Sequence, residues 1–97
     1  MVYFYESERI YLKDEEDKIV GYVLFPKIEE NVVEITKTFV SETLRGQGIA
    51  NELMKRLVKY LEKNNLKCTP SCSYAVIWFD KNEEYKYLLK GNNNDKI

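Results

Sequence analysis

Two glycines and an arginine stand directly before the most regular helical pattern in the chain. In the stretch TLRGQGIANELMKRL, Gly46 and Gly48 precede apolar residues that recur at a spacing of three and four. Glycine leaves backbone N–H groups open to a ligand, and the first N–H groups of a helix have no partner within it. Arg45 adds a charged donor. The stretch therefore predicts an anion site of the kind that holds a phosphate.

Two familiar phosphate-binding loops do not fit this stretch. A Walker loop is excluded because no Gly-Lys-Ser/Thr follows, and Asn51 stands where the dinucleotide fingerprint has its third glycine. A tight loop that uses Gly46 and Gly48 for its conformation alone remains the structural alternative.

Three further side chains are candidates for chemistry. Cys72 precedes a predicted helix, whose amide dipoles favour the thiolate, so it is a nucleophile, a proton donor or a small buried side chain. Tyr74 is a second proton donor or an ordinary core aromatic. Cys68 has the strand parity of core residues and is predicted to be buried. We predict no metal site, because the two cysteines have no further ligands nearby.

The chain contains no histidine, which excludes Ser-His-Asp, Cys-His and HExxH chemistry. Lys37 replaces a base only if burial depresses its pKa by several units. Simple alternation in VVEITKTFV places Lys37 on the side of Ile35 and Phe39. A β-bulge, a wet cleft or a snorkelling lysine at a sheet edge would each explain this position.

The elements that must position these residues follow from hydrophobic patterns. RIYLK and KIVGYVLF, on either side of the turn DEED, predict an antiparallel hairpin, and VVEITKTFV predicts a third strand with Val33, Ile35 and Phe39 on one face. A long helix is expected from Ile49 to a left-handed turn at Asn64 and Asn65.

The last third of the chain predicts shorter elements. LKCTP is a short strand, and a second helix follows with Ser71 or Ser73 as its N-cap. Its apolar side is expected to hold Tyr74, Ile77 and Trp78. EEYKYLL is a short final helix or strand.

Composition limits the partners and the compartment. The 97 residues predict a single domain over residues 1–90, with 91–97 as a flexible tail. A net charge of −1 gives no global field for nucleic acid or an anionic membrane. No signal peptide or membrane span is evident, so a cytoplasmic protein with reduced cysteines is expected.

The residues Arg45-x-x-Gly48-x-Ala50 resemble the Q/R-x-x-G-x-G/A pyrophosphate-binding signature of the GCN5-related N-acetyltransferases (GNAT). The chain is also similar to a small single-domain subfamily of that group through the blocks TFVSETLRGQGIANEL and PSCSYAVIWFDKNEEY. The two blocks, in this order, extend from Thr38 to Tyr85.

The resemblance implies an α/β (α+β) fold in which a mostly antiparallel sheet, flanked by helices, splays open to hold acetyl-coenzyme A (acetyl-CoA). It implies that the amides of residues 46–50 bind the pyrophosphate and that Phe39 and Val40 pair with the pantetheine through their backbone. The implied cofactor-binding set is Phe39, Val40, Arg45, Gly46, Gln47, Gly48, Ile49, Ala50, Asn51, Ser73 and Phe79. The catalytic candidates are Cys72, Tyr74 and Lys37. In the family pattern histidines often stand where this chain has Lys37 and Asn82.

The leading hypothesis is an acetyl-CoA-dependent N-acetyltransferase with an unidentified amine as acceptor. An acyl-CoA-binding module or sensor without turnover is the alternative, favoured by the missing histidines. A third possibility is an interaction domain that docks a protein through its tyrosine-rich surface. We expect a monomer or a weak dimer.

Overall fold

The computed structural model describes residues 1–91, and these residues form two small sheets and two α-helices. The strands in chain order are β1 (Val2–Glu6), β2 (Arg9–Lys13), β3 (Ile19–Leu24), β4 (Lys27–Glu29), β5 (Val32–Ile35), β6 (Lys37–Val40) and β7 (Lys67–Pro70). The α-helices are α1 (Ile49–Lys63) and α2 (Ser73–Lys81), and two 3-10 segments cover Glu42–Leu44 and Glu83–Leu88.

The two sheets part in the middle of one extended segment. The first sheet is antiparallel with the order β1-β2-β3-β6, and the second has the order β4-β5-β7, in which β5 and β7 run parallel. β5 and β6 are consecutive in the chain and are separated only by Thr36. The expected mixed fold with a mostly antiparallel, splayed sheet is thus confirmed.

Thr36 is the point at which the strand changes register. Its N–H donates to Leu24 O at 3.0 Å, while Lys37 is the register partner of the same Leu24. Two residues therefore oppose one, as in a β-bulge, and alternation restarts one residue out of phase. Ile35 is fully buried, but Phe39 turns to the other face, so the predicted common face of Ile35 and Phe39 is wrong. Of the three explanations for Lys37, the bulge is the one that the structure supports.

The face of the first sheet that is turned away from α1 carries paired aromatic rings. Phe39 stacks on Tyr22 of β3 with ring centroids 5.2 Å apart, and Phe4 stacks on Tyr11 with centroids 5.3 Å apart. Each pair consists of register partners on neighbouring strands. These cross-strand contacts cover ring surface that would otherwise meet solvent.

The core lies between the sheets and α1. The helix contributes five fully buried side chains, Leu53, Met54, Leu57, Val58 and Leu61. Its first turn packs over Gly21 of β3. A Cβ on Gly21 would lie 3.6 Å from side-chain atoms of Ile49 and Leu53, which is an ordinary contact, but 3.3 Å from Phe39 O. The missing side chain thus eases the close approach of β6 rather than that of α1.

The ends of the helices match the sequence predictions only in part. α1 ends as predicted, and Asn65 has the left-handed φ of 56°. The N-cap of α2 is Cys72, without a side-chain cap hydrogen bond, so the prediction of a serine cap is wrong.

The predicted buried side of α2 is also wrong in part. α2 buries Ala75, Trp78 and Phe79, whereas Tyr74 and Ile77 are 36% and 50% exposed. Residues 92–97 of the predicted tail lie outside the described residues. Neither helix in residues 1–91 has the length and apolar character that crossing a bilayer requires.

Candidate active site

An open strand edge forms one wall of the candidate site. Ser41 N–H donates to Val20 O at 2.7 Å, and hydrogen-bonded pairs alternate along an antiparallel ladder. Phe39 is therefore bonded to its register partner Tyr22, and the backbone groups of Thr38 and Val40 point to the free side of β6. On that side Thr38 offers both of its main-chain groups and Val40 offers its N–H, since Val40 O accepts a hydrogen bond from Arg45 Nε.

The glycine loop before α1 lies at the end of this edge. Gly46 and Gly48 have φ values of 85° and 79°, a backbone conformation that side chains disfavour. A Cβ built on either glycine would meet nothing within 4 Å. The glycines thus serve the backbone conformation, and the space beside them is open.

The amides of this loop are available to a ligand. The first bond at this end of α1 joins Glu52 N–H to Gly48 O at 3.0 Å. Within residues 1–91, no acceptor contacts the backbone N–H groups of residues 46–51. Six donors at the positive end of a 15-residue helix therefore have no partner within residues 1–91.

A cleft of about 160 Å³ opens between this loop, β6 and α2. Its lining consists of Val40, Leu44, Arg45, Gly46, Gly48, Ile49, Ala50, Asn51 and Tyr74. Arg45 is exposed, and its Nε donates to Val40 O at 3.2 Å. In the described part of the chain no carboxylate pairs with Arg45, so its charge is available to an anionic ligand.

The residues before α2 are hydrogen-bonded to Ile35, the last residue of β5, where the two sheets separate. Ile35 O accepts three hydrogen bonds, from the N–H groups of Ser71 and Cys72 and from Ser71 Oγ, at 3.0–3.2 Å. Beyond this point Cys72 Sγ lies 3.6 Å from Thr38 Oγ1, across the gap between α2 and β6. Cys72 is half-buried, so its thiol lies beside the open strand edge.

Two other ionisable side chains, Tyr74 and Cys68, differ in how deeply they are buried. Tyr74, in the first turn of α2, lines the cleft, and partial burial raises the pKa of its phenol above the ordinary value of 10.0. The phenol therefore keeps its proton at neutral pH. Cys68 is fully buried, which raises the pKa of its thiol to about 12. Cys68 is a core side chain, as its strand parity predicted.

Some of the predicted site residues do not line the cleft. Lys37 is exposed and shares the orientation of Phe39, away from Thr38. Phe79 is 1% exposed and belongs to the core. Gln47 and Ser73 are exposed beside the site without lining the cleft.

Sequence reasoning missed three residues that the structure brings to the site. Leu44 lines the cleft, Thr38 contacts Cys72, and the indole N–H of Trp78 donates to Asn51 Oδ1 at 2.7 Å. The bulge at Thr36 conceals Thr38, because it reverses the parity by which strand residues are assigned to faces, and Leu44 lies in a 3-10 segment that no periodicity indicates. The Trp78 contact joins residues 27 positions apart, so no local pattern indicates it.

The family of the chain follows from a sequence comparison. A family model described as GCN5-related N-acetyl-transferase matches residues 9–88, which include both sheets and both helices apart from β1. The chain therefore belongs to the GCN5-related N-acetyltransferase family. No curated protein matches the chain.

Solved structures share the fold. A solution NMR structure of a protein described as a GCN5-like N-acetyltransferase from Staphylococcus aureus has a TM-score of 0.75 and 27% identity, covering 96% of this chain and 94% of that one. The Escherichia coli GNAT protein YhbS, in complex with CoA, has a TM-score of 0.62 and 23% identity, covering 71% and 42%. Tetrahymena GCN5 has a TM-score of 0.64 and 17% identity, covering 87% and 58%. The chain thus spans about half the length of the last two proteins.

Proposed function

We propose that the chain binds an acyl-CoA, with acetyl-CoA as the leading case, and transfers the acyl group to an amine. The observation that carries this proposal is the row of six unsatisfied N–H groups, at residues 46–51, along an open cleft. Family membership supports acyl transfer, and the related YhbS was solved with CoA.

The donor set of the loop suits a diphosphate. Backbone amides and the Arg45 guanidinium donate hydrogen bonds, and phosphate oxygens accept them. The open space where Gly46 and Gly48 lack side chains lets a phosphate approach the main chain closely. At the free edge of β6, the groups of Thr38 and Val40 would bond to the amides of a pantetheine arm, as a neighbouring strand would.

When bound, the coenzyme supplies an acyl group activated as a thioester. In direct transfer the amine nitrogen forms a C–N bond while the C–S bond breaks, and the leaving thiolate takes a proton from Tyr74 Oη or Cys72 Sγ. The proton lost by the amine passes to water. In the two-step alternative, Cys72 Sγ forms a C–S bond with the acyl carbon while the coenzyme C–S bond breaks, and the leaving thiolate takes the Cys72 proton. The amine then forms the C–N bond, and Cys72 leaves and takes the proton that the amine loses.

We favour the direct route with Tyr74 as the acid. Tyr74 lines the cleft, and its raised pKa keeps the phenol protonated at neutral pH. Cys72 then contacts Thr38 beside the open strand edge and does not line the cleft. A neutral amine needs no strong base, which is compatible with the absence of histidine.

The test combines binding, turnover and mass measurements. Wild-type protein should melt at a higher temperature with acetyl-CoA, because a ligand that binds only the folded state stabilises it. Free CoA thiol should appear when the right acceptor from a panel of small amines, peptides and amino acids is added. The absence of a melting shift at millimolar acetyl-CoA would favour a protein-interaction domain instead.

Three variants separate the chemical routes. Tyr74→Phe should reduce thiol release by at least tenfold at unchanged CoA affinity, whereas Tyr87→Phe, at an exposed tyrosine outside the cleft, should not. An acetyl adduct in the intact mass that Cys72→Ser abolishes would instead support the two-step route.

The second candidate is an acyl-CoA-binding module or sensor without turnover. It is favoured by the orientation of Lys37, which shares the Phe39 side of β6 and is exposed, so no basic side chain lines the cleft except Arg45. Saturable acetyl-CoA binding without thiol release for any acceptor in the panel would support this function.

A further inference from the structure

One residue of the cleft lining is held in place by the second helix. The indole N–H of Trp78 donates to Asn51 Oδ1 at 2.7 Å. Trp78 itself is rigidly packed, since it is 4% exposed, stacks on Tyr85 with centroids 5.5 Å apart, and contacts Phe79 edge-on at 5.2 Å. The donor that reaches Asn51 therefore has a fixed position.

This contact sets the orientation of the Asn51 amide. An indole N–H donates and cannot accept, so Asn51 must turn its oxygen toward Trp78. Its Nδ2 group, with two N–H donors, then faces away from Trp78 and has no acceptor within residues 1–91. Without such a partner the two flipped orientations of an asparagine amide are hard to distinguish by shape.

We propose that Trp78 is a positioning residue, which turns the Asn51 Nδ2 donor toward the diphosphate of the bound coenzyme. Asn51 lines the cleft as the third residue of α1, next to the unsatisfied backbone donors. The side-chain donor thus extends the main-chain cradle. This inference rests on the proposed function and adds a residue of α2 to the anion site.

A purely structural role makes different predictions. If the hydrogen bond only fastens α2 to α1, its loss lowers stability and leaves selectivity for the diphosphate unchanged. If Trp78 acts through Asn51, its loss weakens only the ligand that carries a diphosphate. S-acetylpantetheine has the thioester arm without that diphosphate, so it serves as the reference ligand.

The experiment is a double-mutant cycle on dissociation constants. Trp78→Phe and Asn51→Ala should each weaken CoA binding about tenfold, the range for a hydrogen bond to a charged group. The double variant should bind no more weakly than Asn51→Ala alone, because the two residues act as one unit. Binding of S-acetylpantetheine should stay within about twofold throughout.

Leu61→Ala is the stability control, because it removes a fully buried side chain near the carboxyl end of α1 and keeps the indole N–H. It should lower the melting temperature and leave the ratio of the two affinities unchanged. A measurement on the wild type avoids unstable variants. Trp78 is the only tryptophan, so its indole N–H gives a single NMR signal. This signal should shift on titration with CoA and stay fixed with S-acetylpantetheine.

Each outcome decides between the two proposals. If the wild type does not bind CoA, the proposed function fails and this inference fails with it. If the wild type binds CoA but the effects of Trp78→Phe and Asn51→Ala add, or both ligands weaken equally, this inference alone is overturned. A non-additive loss confined to CoA supports it.

Discussion

The two ends of α1 are built in opposite ways. At the carboxyl end the backbone N–H groups of residues 64–66 return to helix carbonyls, and the Asn64 side chain adds a bond to Tyr60 O at 2.8 Å. At the amino end, Gly48 is the N-cap, without a side-chain cap, and the N–H groups of residues 46–51 have no acceptor in the described chain. Both ends use a left-handed residue, but within residues 1–91 the carbonyls of Tyr60, Leu61 and Glu62 accept hydrogen bonds, whereas the N–H groups at the amino end have no acceptor. The proposed function assigns a ligand to the amino end.

Reversing the charge of Arg45, beside the amino end of α1, should have the largest effect on CoA affinity. Arg45→Glu should weaken CoA binding about 100-fold, or about 3 kcal/mol, because it removes a charged donor and adds repulsion toward the diphosphate. Isothermal titration measures this directly. Lys59→Glu, an exposed position nearer the carboxyl end, is the control and should change affinity less than twofold. Equal losses in both variants would mean that binding depends only on general charge.

The free energy of unfolding should decrease at alkaline pH because of a buried thiol on β7, the strand that follows α1. Cys68 on β7 has a pKa of about 12 in the folded chain against an ordinary value of 9.0. Between these values the unfolded chain ionises while the native thiol keeps its proton, so stability falls as pH rises, by up to about 1.4 kcal/mol per pH unit.

Urea unfolding at several pH values measures this slope. The Cys68→Ala variant should lack this part of the loss, because other groups titrate equally in both proteins. Identical slopes for the two proteins above pH 9 would show that burial of this thiol does not affect stability in the alkaline range.

Backbone strain introduced at either end of α1 should lower stability equally but should weaken CoA binding at the amino end only. Gly48→Ala and Asn65→Ala each place an alanine in a left-handed conformation, with φ of 79° and 56°. Each should lower the free energy of unfolding by about 1 kcal/mol, or about 4–8 °C in melting temperature. Only Gly48→Ala should also weaken CoA binding, because its Cβ enters the space beside the amides. The account fails here if calorimetry finds the affinity of Gly48→Ala unchanged.

The smallest expected effect is the loss of stability when the side-chain cap at the carboxyl end of α1 is removed. Asn64→Ala removes the hydrogen bond to Tyr60 O and should cost about 0.5–1 kcal/mol of stability. CoA affinity should not change, since the cap lies at the other end of the helix. A weakened affinity would show that the two ends are coupled and would remove the contrast between them.

The sequence predicts the local parts of this molecule and misses its long-range contacts. Helix α1 and the hairpin of β2 and β3 follow from periodicity within single segments. The glycine loop is predictable because its glycines, its arginine and the helix start are adjacent in the chain. By contrast, the bulge at Thr36 depends on pairing with Leu24. Strand β1 is not predicted from the sequence, although it forms a local hairpin with β2.

The part of the candidate site around Cys72 is harder to predict for the same reason. Thr38 and Cys72 meet across 34 positions, and their contact depends on the register shift and on the three hydrogen bonds to Ile35 O. The family resemblance implied that Phe39 pairs with the pantetheine through its backbone, whereas in the ladder Phe39 is the register partner of Tyr22. The roles of Cys72 and Tyr74 remain predictions that await turnover measurements.

Amide NMR during a titration with CoA tests the central claim most directly. The account predicts that the largest chemical-shift changes fall on the backbone N–H signals of residues 46–51, with little change at residues 62–66. S-acetylpantetheine, which lacks the diphosphate, should leave residues 46–51 nearly unchanged. CoA-induced shifts that are absent from residues 46–51, or that are centred on the carboxyl end of α1, would contradict the assignment of the open end as a diphosphate site.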